Sequence, residues 1–195
     1  MKMLLLIILT YLIGTFSSAY IIGKFSKGID IRDYGSGNSG TTNALRVMGK
    51  QMGILTFIFD FGKGIVAALI GRMMLGDVGV LLAGISVVVG HNWPIFIGWK
   101  GGKGVAASLG VLLVLHWPST LIAVIIGLIV GLSTKYVSLG SMCFLSLFPI
   151  IYFIIGDPFS KEYIILSLLL AIMAIIRHKS NIERLINGNE NKLSW

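Results

Sequence analysis

Apolar runs alternate with short basic, glycine-rich segments along the whole chain, and this alternation restricts the possible folds more than any other feature. Seven runs stand out, over residues 3–22, 53–75, 78–97, 105–115, 119–134, 137–155 and 163–176. A helix crosses the hydrocarbon core of a bilayer with roughly 20 mostly apolar residues, or fewer where neighbours shield its ends. Several of these runs are short by that measure, and His116-Trp117-Pro118 alone separates the fourth from the fifth. Of the 195 residues, 55% are hydrophobic and 12% charged, a balance that suits lipid and not a soluble surface. The expected fold is an all-α integral membrane protein of about seven short transmembrane helices, forming one domain over residues 1–195. Residues 3–22 read as a first span and not a cleaved leader, because the apolar run continues past Ser17-Ser18-Ala19 to Ile22.

The charges set an orientation. Cytoplasmic loops accumulate Lys and Arg. With an external N-terminus and seven crossings, twelve of the sixteen Lys and Arg fall inside, only Lys2, Arg72 and Lys161 fall outside, and Lys63 lies within a span. The C-terminus is then cytoplasmic. The formal net charge of +8 is confined to segments between apolar runs, which argues for phosphate or anionic lipid as partner and against nucleic acid. Cys143, the single cysteine, lies in an apolar run and reads as a packing thiol.

Three segments carry chemistry, all expected on the cytoplasmic side. The first contains Gly35, Ser36, Gly37, Asn38, Gly40, Thr41, Asn43 and Arg46. It matches GxGxxG, but a dinucleotide fold needs a βαβ unit around that motif, and here membrane spans flank it. What remains is a phosphate site: glycines turn amide groups toward an anion, hydroxyl and amide side chains add donors, and Arg46 offers a planar fork. In the second segment Gly101, Gly102, Lys103 and Gly104 lead into a span, so a helix N-terminus and an ammonium meet there. In the third, Arg177, Asn181 and Arg184 recur on one stripe of a helix continuing the seventh span, with His178 beside them. Within the second span Asp60 and Lys63 are spaced to pair on one helix face, and His91 is placed to brace the second segment. No cluster of His, Cys and carboxylates suggests a metal, and no cofactor is expected.

These segments, as GSGNSGTTN with Arg46, KGGKGVAA and RHKSNIERLINGNE, joined by DFGKG, GHNWPIF and YVSLGS, resemble the acyl-phosphate-dependent glycerol-3-phosphate acyltransferase family of the PlsY type over nearly the whole chain. Thr41 and Ala107 depart from the family pattern, so neither side chain is given chemistry. The resemblance implies an enzyme of the bacterial inner membrane. Its active site would be cytoplasmic, and it would transfer a fatty acyl group from acyl-phosphate to glycerol 3-phosphate, yielding lysophosphatidic acid and phosphate. On that basis Ser36 and Arg46 with the first-loop amides would hold the acyl-phosphate, Lys103, His178 and Asn181 would orient glycerol 3-phosphate, and Ser141 would close the phosphate pocket. Arg177 joins them as a phosphate contact. The general base is open between His178 and a substrate phosphate. The competing expectation is a membrane transporter of phosphate or a small phosphorylated anion, which would use similar loops but needs polar groups toward both faces.

Overall fold

The computed structural model describes residues 1–193, and among the described residues all regular structure is helical. The chain divides into two compact units, one over Met1–Val114 and one beginning at Leu115.

The first unit opens with α1 (Lys2–Thr15) and α2 (Ser18–Lys27), which share the apolar run expected as one span. The run is long and apolar enough to cross a membrane, but it is interrupted at Phe16, whose backbone is extended (φ −62°, ψ 98°). The freed Phe16 carbonyl accepts a hydrogen bond from Lys63 Nζ at 2.8 Å, so the break leaves no orphaned acceptor in an apolar setting. A 3-10 turn (Ile31–Asp33) leads to α3 (Thr41–Met48), a helix inside the segment expected to be a glycine-rich loop.

Then comes α4 (Lys50–Asn92), whose 43 residues would extend about 65 Å if straight, twice the hydrocarbon thickness. It is not straight. Leu75 and Gly76 leave helical geometry, Gly76 at φ +59°. Gly71 and Gly79 would lie about 12 Å apart along one axis, yet a Cβ on either would strike the backbone of the other. The two arms therefore reverse at Leu75–Gly76 and pack antiparallel, where the sequence reading separates the second and third spans. The second arm stops at Asn92, five residues short of the expected 97. Pro94 cannot continue the helix, and the Asn92 and His91 carbonyls accept from the amides of Gly101 and Gly102 at 3.2 and 3.0 Å. A 3-10 turn (Ile95–Ile97) and α5 (Val105–Leu115) complete the unit, with α5 packed on the first arm of α4 where Gly64 and Gly110 allow close backbone approach.

In the second unit α6 (Trp117–Thr134), α7 (Val137–Ile155) and α8 (Lys161–Arg177) pack in sequence order. His116, which in the sequence only separates two apolar runs, starts α6 as its cap by accepting from the Ser119 amide. Leu121, Ile125, Leu128, Ile129 and Leu132 stand exposed along α6, an apolar stripe suited to lipid. Cys143 is half-buried, so the thiol packs less completely than expected. The seventh run does not continue straight: α8 bends by 58° at His178 into α9 (Lys179–Ile186). Among the described residues, four helical stretches are long and apolar enough to cross a membrane, with the reversed α4 taken as one stretch, and five if the bent pair α8–α9 counts as one span.

Candidate functional site

In the first unit, the loop after α2 is built around Asn43, buried on α3. Its Oδ1 accepts from the Ser36 amide at 2.8 Å, and its Nδ2 donates to the Ile31 and Tyr34 carbonyls at 3.2 and 3.0 Å. Asn43, expected to touch phosphate, thus spends its amide on holding the loop. Gly35 and Gly37 take left-handed backbone at φ +62° and +69°, and the Gly37 amide donates to the Tyr34 carbonyl, so these glycines serve the turn itself. The Ser36 side chain stays exposed, and Arg46 projects from the exposed last turn of α3. Ala44 makes the first helical bond of α3, to the Gly40 carbonyl, which leaves the amides of Thr41 and Thr42 at the positive end of the helix. The hydroxyls of Ser39 and Thr41 are buried there without a hydrogen-bond partner among the described residues.

Asp30 and Arg32 brace the same loop. Asp30 accepts from Arg32 Nε at 2.9 Å and Nη2 at 2.7 Å, and Arg32 Nη1 donates to the Ile97 carbonyl. The Arg32 guanidinium holds the Asp30 carboxyl below its ordinary value, and Asp30 raises Arg32 in return. A cleft of about 530 Å³ lies between this loop and residues 97–100, lined by Asp30, Arg32, Asp33, Gly37, Ile97, Gly98 and Lys100.

The second segment approaches the first through Asn38, whose Nδ2 lies 3.5 Å from the Gly101 carbonyl. Gly101 and Gly102 do not offer their amides to an anion, as sequence reading expected, because both cap the C-terminus of α4. Their lack of a side chain has another use: a Cβ on Gly101 would strike the His91 carbonyl, and one on Gly102 would land on the His91 ring. Lys103 is half-buried, and Gly104, at φ +81°, turns the chain into α5 against the Asn92 amide. The first helical bond of α5 runs from Ser108 to the Gly104 carbonyl, so the amides of residues 105–107 form its positive end beside Lys103.

Beneath these loops Asp60, Lys63 and His91 form a buried network. Asp60 and Lys63 pair at 2.8 Å, as their spacing predicts. Lys63 Nζ also meets His91 Nδ1 at 2.8 Å, and Ser18 Oγ donates to Asp60.

In the second unit, Glu190 gathers three donors: Asn181 Nδ2 at 2.6 Å, Arg184 Nε at 2.8 Å and Ser138 Oγ at 2.9 Å. Burial pushes its carboxyl up, but these hydrogen bonds outweigh burial and hold it below its ordinary value. Sequence reading gave Glu190 and Ser138 no role, and no local pattern links residues 52 positions apart. The bend at His178 also splits the expected stripe: Asn181 and Arg184 share α9, while Arg177 ends α8. His178 Nδ1 lies 2.7 Å from the Ala174 carbonyl. A carbonyl only accepts, so Nδ1 carries the proton and Nε2 of the neutral ring is the accepting nitrogen. Ser141 donates its hydroxyl to the Val137 carbonyl of its own helix at 2.8 Å, which directs that proton away from a phosphate.

A model of the glycerol-3-phosphate acyltransferase family matches residues 4–188. A glycerol-3-phosphate acyltransferase of Thermoanaerobacter sp. (strain X514) is 47% identical over 186 residues, covering 95% of this chain and 93% of that one. One from Clostridioides difficile (strain 630) is 42% identical over 196 residues, covering 97% and 95%. Among solved structures, PlsY (YgiH), an integral membrane glycerol 3-phosphate acyltransferase, is similar at 36% identity and TM-score 0.93 in its glycerol 3-phosphate form. Its lysophosphatidic acid form is similar at 35% and 0.91, and each match covers all of this chain and 96% of the other.

Proposed function

The chain belongs to the PlsY-type glycerol-3-phosphate acyltransferase family, and from that premise we propose that it moves a fatty acyl group from acyl-phosphate to glycerol 3-phosphate. The observation that carries this reading is the pair of similar structures of one relative, one with the acceptor substrate and one with the product. A glycerol hydroxyl oxygen bonds to the acyl carbonyl carbon, and the bond from that carbon to the phosphate oxygen breaks. Phosphate leaves with the electron pair. The hydroxyl proton passes to His178 Nε2 or to a substrate phosphate; the Nδ1–H bond to Ala174 supports the first route by making Nε2 basic. Acyl-phosphate already has a good leaving group, so holding the two reactants in register supplies much of the acceleration.

Residue roles follow within each unit. Ser36, Arg46 and the first amides of α3 hold the donor phosphate and stabilise its departing charge. Lys103, beside the positive end of α5, binds the phosphate of glycerol 3-phosphate. Asn181 and His178 act in the same reaction, Asn181 held by Glu190. Residues 1–195 form one acyltransferase domain that crosses the bacterial inner membrane seven times, with the N-terminus outside and the loops cytoplasmic. The excess of Lys and Arg in the loops this topology places inside and the reversal at Leu75–Gly76 support that count.

The test is to supply purified protein in detergent with palmitoyl phosphate and labelled glycerol 3-phosphate. Lysophosphatidic acid is the expected product. Its absence, with acyl-CoA used instead or phosphate flux in liposomes, overturns the reading. Lys103→Ala is expected to lose turnover while inserting normally; full turnover would reduce Lys103 to an orientation signal.

A further inference from the structure

Asp60, Lys63 and His91 are buried, and none is assigned to either substrate above. An ammonium has three protons to donate. Lys63 has three acceptors at 2.8 Å: Asp60 Oδ1, the Phe16 carbonyl and His91 Nδ1. An ammonium only donates, so in its contact with Lys63 the His91 Nδ1 accepts and the neutral ring carries its proton on Nε2; the same Nδ1 lies 3.4 Å from Asp60 Oδ1, which sets this ring edge against both members of the pair. The Nε2 edge is the one against Gly102, where a Cβ would fall on Nε2 itself. His91 holds the segment a second time through its carbonyl, which accepts from the Gly102 amide at 3.0 Å. Lys63 therefore fixes the orientation of an imidazole whose far edge bears on the residue next to Lys103.

We propose that the Asp60–Lys63–His91 network positions the Lys100–Gly104 loop, and so sets where Lys103 presents its charge to glycerol 3-phosphate. These are positioning residues. The alternative role, a charge pair that only stabilises the span, explains Asp60 and Lys63 but leaves the Lys63–His91 contact and the ring against Gly102 without a use. A buried pair is also weak evidence for stability, because desolvation offsets much of its attraction. What the network adds is direction: the ring edge is held by Lys63 and faces Asp60, and Lys63 is tied to Asp60 on its own helix and to the break between α1 and α2. The inference rests on the reading that Lys103 handles glycerol 3-phosphate, and the experiment separates the two.

Three variants are compared in detergent: the doubly neutral D60N/K63M, His91→Asn, and Lys103→Ala. The first removes the charges together, so neither is stranded. The second keeps an acceptor near Lys63 but removes the ring edge at Gly102. KM is measured for glycerol 3-phosphate and for palmitoyl phosphate, alongside kcat per folded enzyme and Tm. Both network variants are expected to raise KM for glycerol 3-phosphate ~10-fold or more while KM for the donor stays within about threefold. A merely structural role would lower Tm and the amount of active enzyme and leave both KM values unchanged. That outcome, or equal shifts in both KM values, overturns the proposal. Should D60N/K63M fail to insert, His91→Asn decides alone. If Lys103→Ala leaves KM for glycerol 3-phosphate unchanged, the assignment of Lys103 fails, and a shift in the network variants then belongs to some other group of the loop.

Discussion

Glu190→Ala removes the acceptor shared by Asn181, Arg184 and Ser138, and the three losses differ. Hydrogen bonds to a charged group contribute about 1.5–3 kcal/mol each when water cannot replace them. Arg184 is 33% exposed at its side chain and rehydrates, so its share shrinks to under about 1 kcal/mol. Ser138 lies in the first turn of α7, where no carbonyl of its own helix stands behind it to take the hydroxyl proton, so its lost bond costs about 1 kcal/mol. Asn181 is buried, so the loss of its hydrogen bond to a charged acceptor costs about 1–3 kcal/mol. The expected loss for Glu190→Ala is about 2–4 kcal/mol, and for Glu190→Gln, which keeps an acceptor oxygen and the shape, about 1–2 kcal/mol. The assay is denaturant unfolding in micelles, with protease sensitivity of residues 187–193 as a local readout. A cycle with Arg184→Ala should show coupling of about 1 kcal/mol. The pH dependence has a definite sign. The Glu190 carboxyl lies below its ordinary 4.5 in the folded protein, so its contribution is complete above pH 4.5 and fades as pH falls through the lowered value. Glu190→Gln should lack that acid loss. Stabilities within about 0.5 kcal/mol of the parent for both variants, or the same acid loss in Glu190→Gln, would refute the reasoning.

Asn43→Leu, of similar volume, strips three hydrogen bonds from the first loop and should cost about 2 kcal/mol with a parallel loss of turnover; unchanged Tm and rate would show that the loop stands without it. Gly102→Ala drives a methyl into the His91 ring that Lys63 holds, and kcat/KM for glycerol 3-phosphate should fall about 10²-fold. Parental efficiency in that variant would mean the ring yields freely. Because Arg32 lowers the Asp30 carboxyl from its ordinary 3.8, their pair should support the loop fully above that pH and release it only in stronger acid. Loop protection in hydrogen exchange that declined between pH 7 and 5 would contradict this.

The fourth and sixth runs were legible to the residue, since Gly104 and Tyr136 border long apolar stretches and the helices start where those stretches do. The reversal at Leu75–Gly76 was legible because polar Asp77 interrupts the apolar stretch 53–97, which is too long for one crossing. The break at Phe16 was not, because what stabilises it is an ammonium 47 residues away. The first loop shows a subtler gap: glycine spacing pointed correctly to a turn, but the pattern hid α3, and Asn43 turned from a phosphate donor into the loop's clamp. Likewise the Arg177–Asn181–Arg184 stripe of the third segment assumed a straight helix, and the chain instead bends at His178, whose Nδ1 bonds the Ala174 carbonyl. Gly101 and Gly102, expected as phosphate contacts, direct their amides to the end of α4 and leave room for the His91 carbonyl and ring.

The interrupted first span also bears on how the protein is made. A segment inserting ahead of the rest has only itself and lipid to satisfy its backbone, and an open carbonyl in hydrocarbon costs several kcal/mol. Until the α4 segment enters and brings Lys63 within reach, residues 2–27 are better off as one unbroken helix. The Lys63 ammonium, for its part, cannot rest at that depth without the Phe16 carbonyl and Asp60. Insertion of the second segment and bending of the first are thus one event, in which a late-arriving charge reshapes a span already in the membrane.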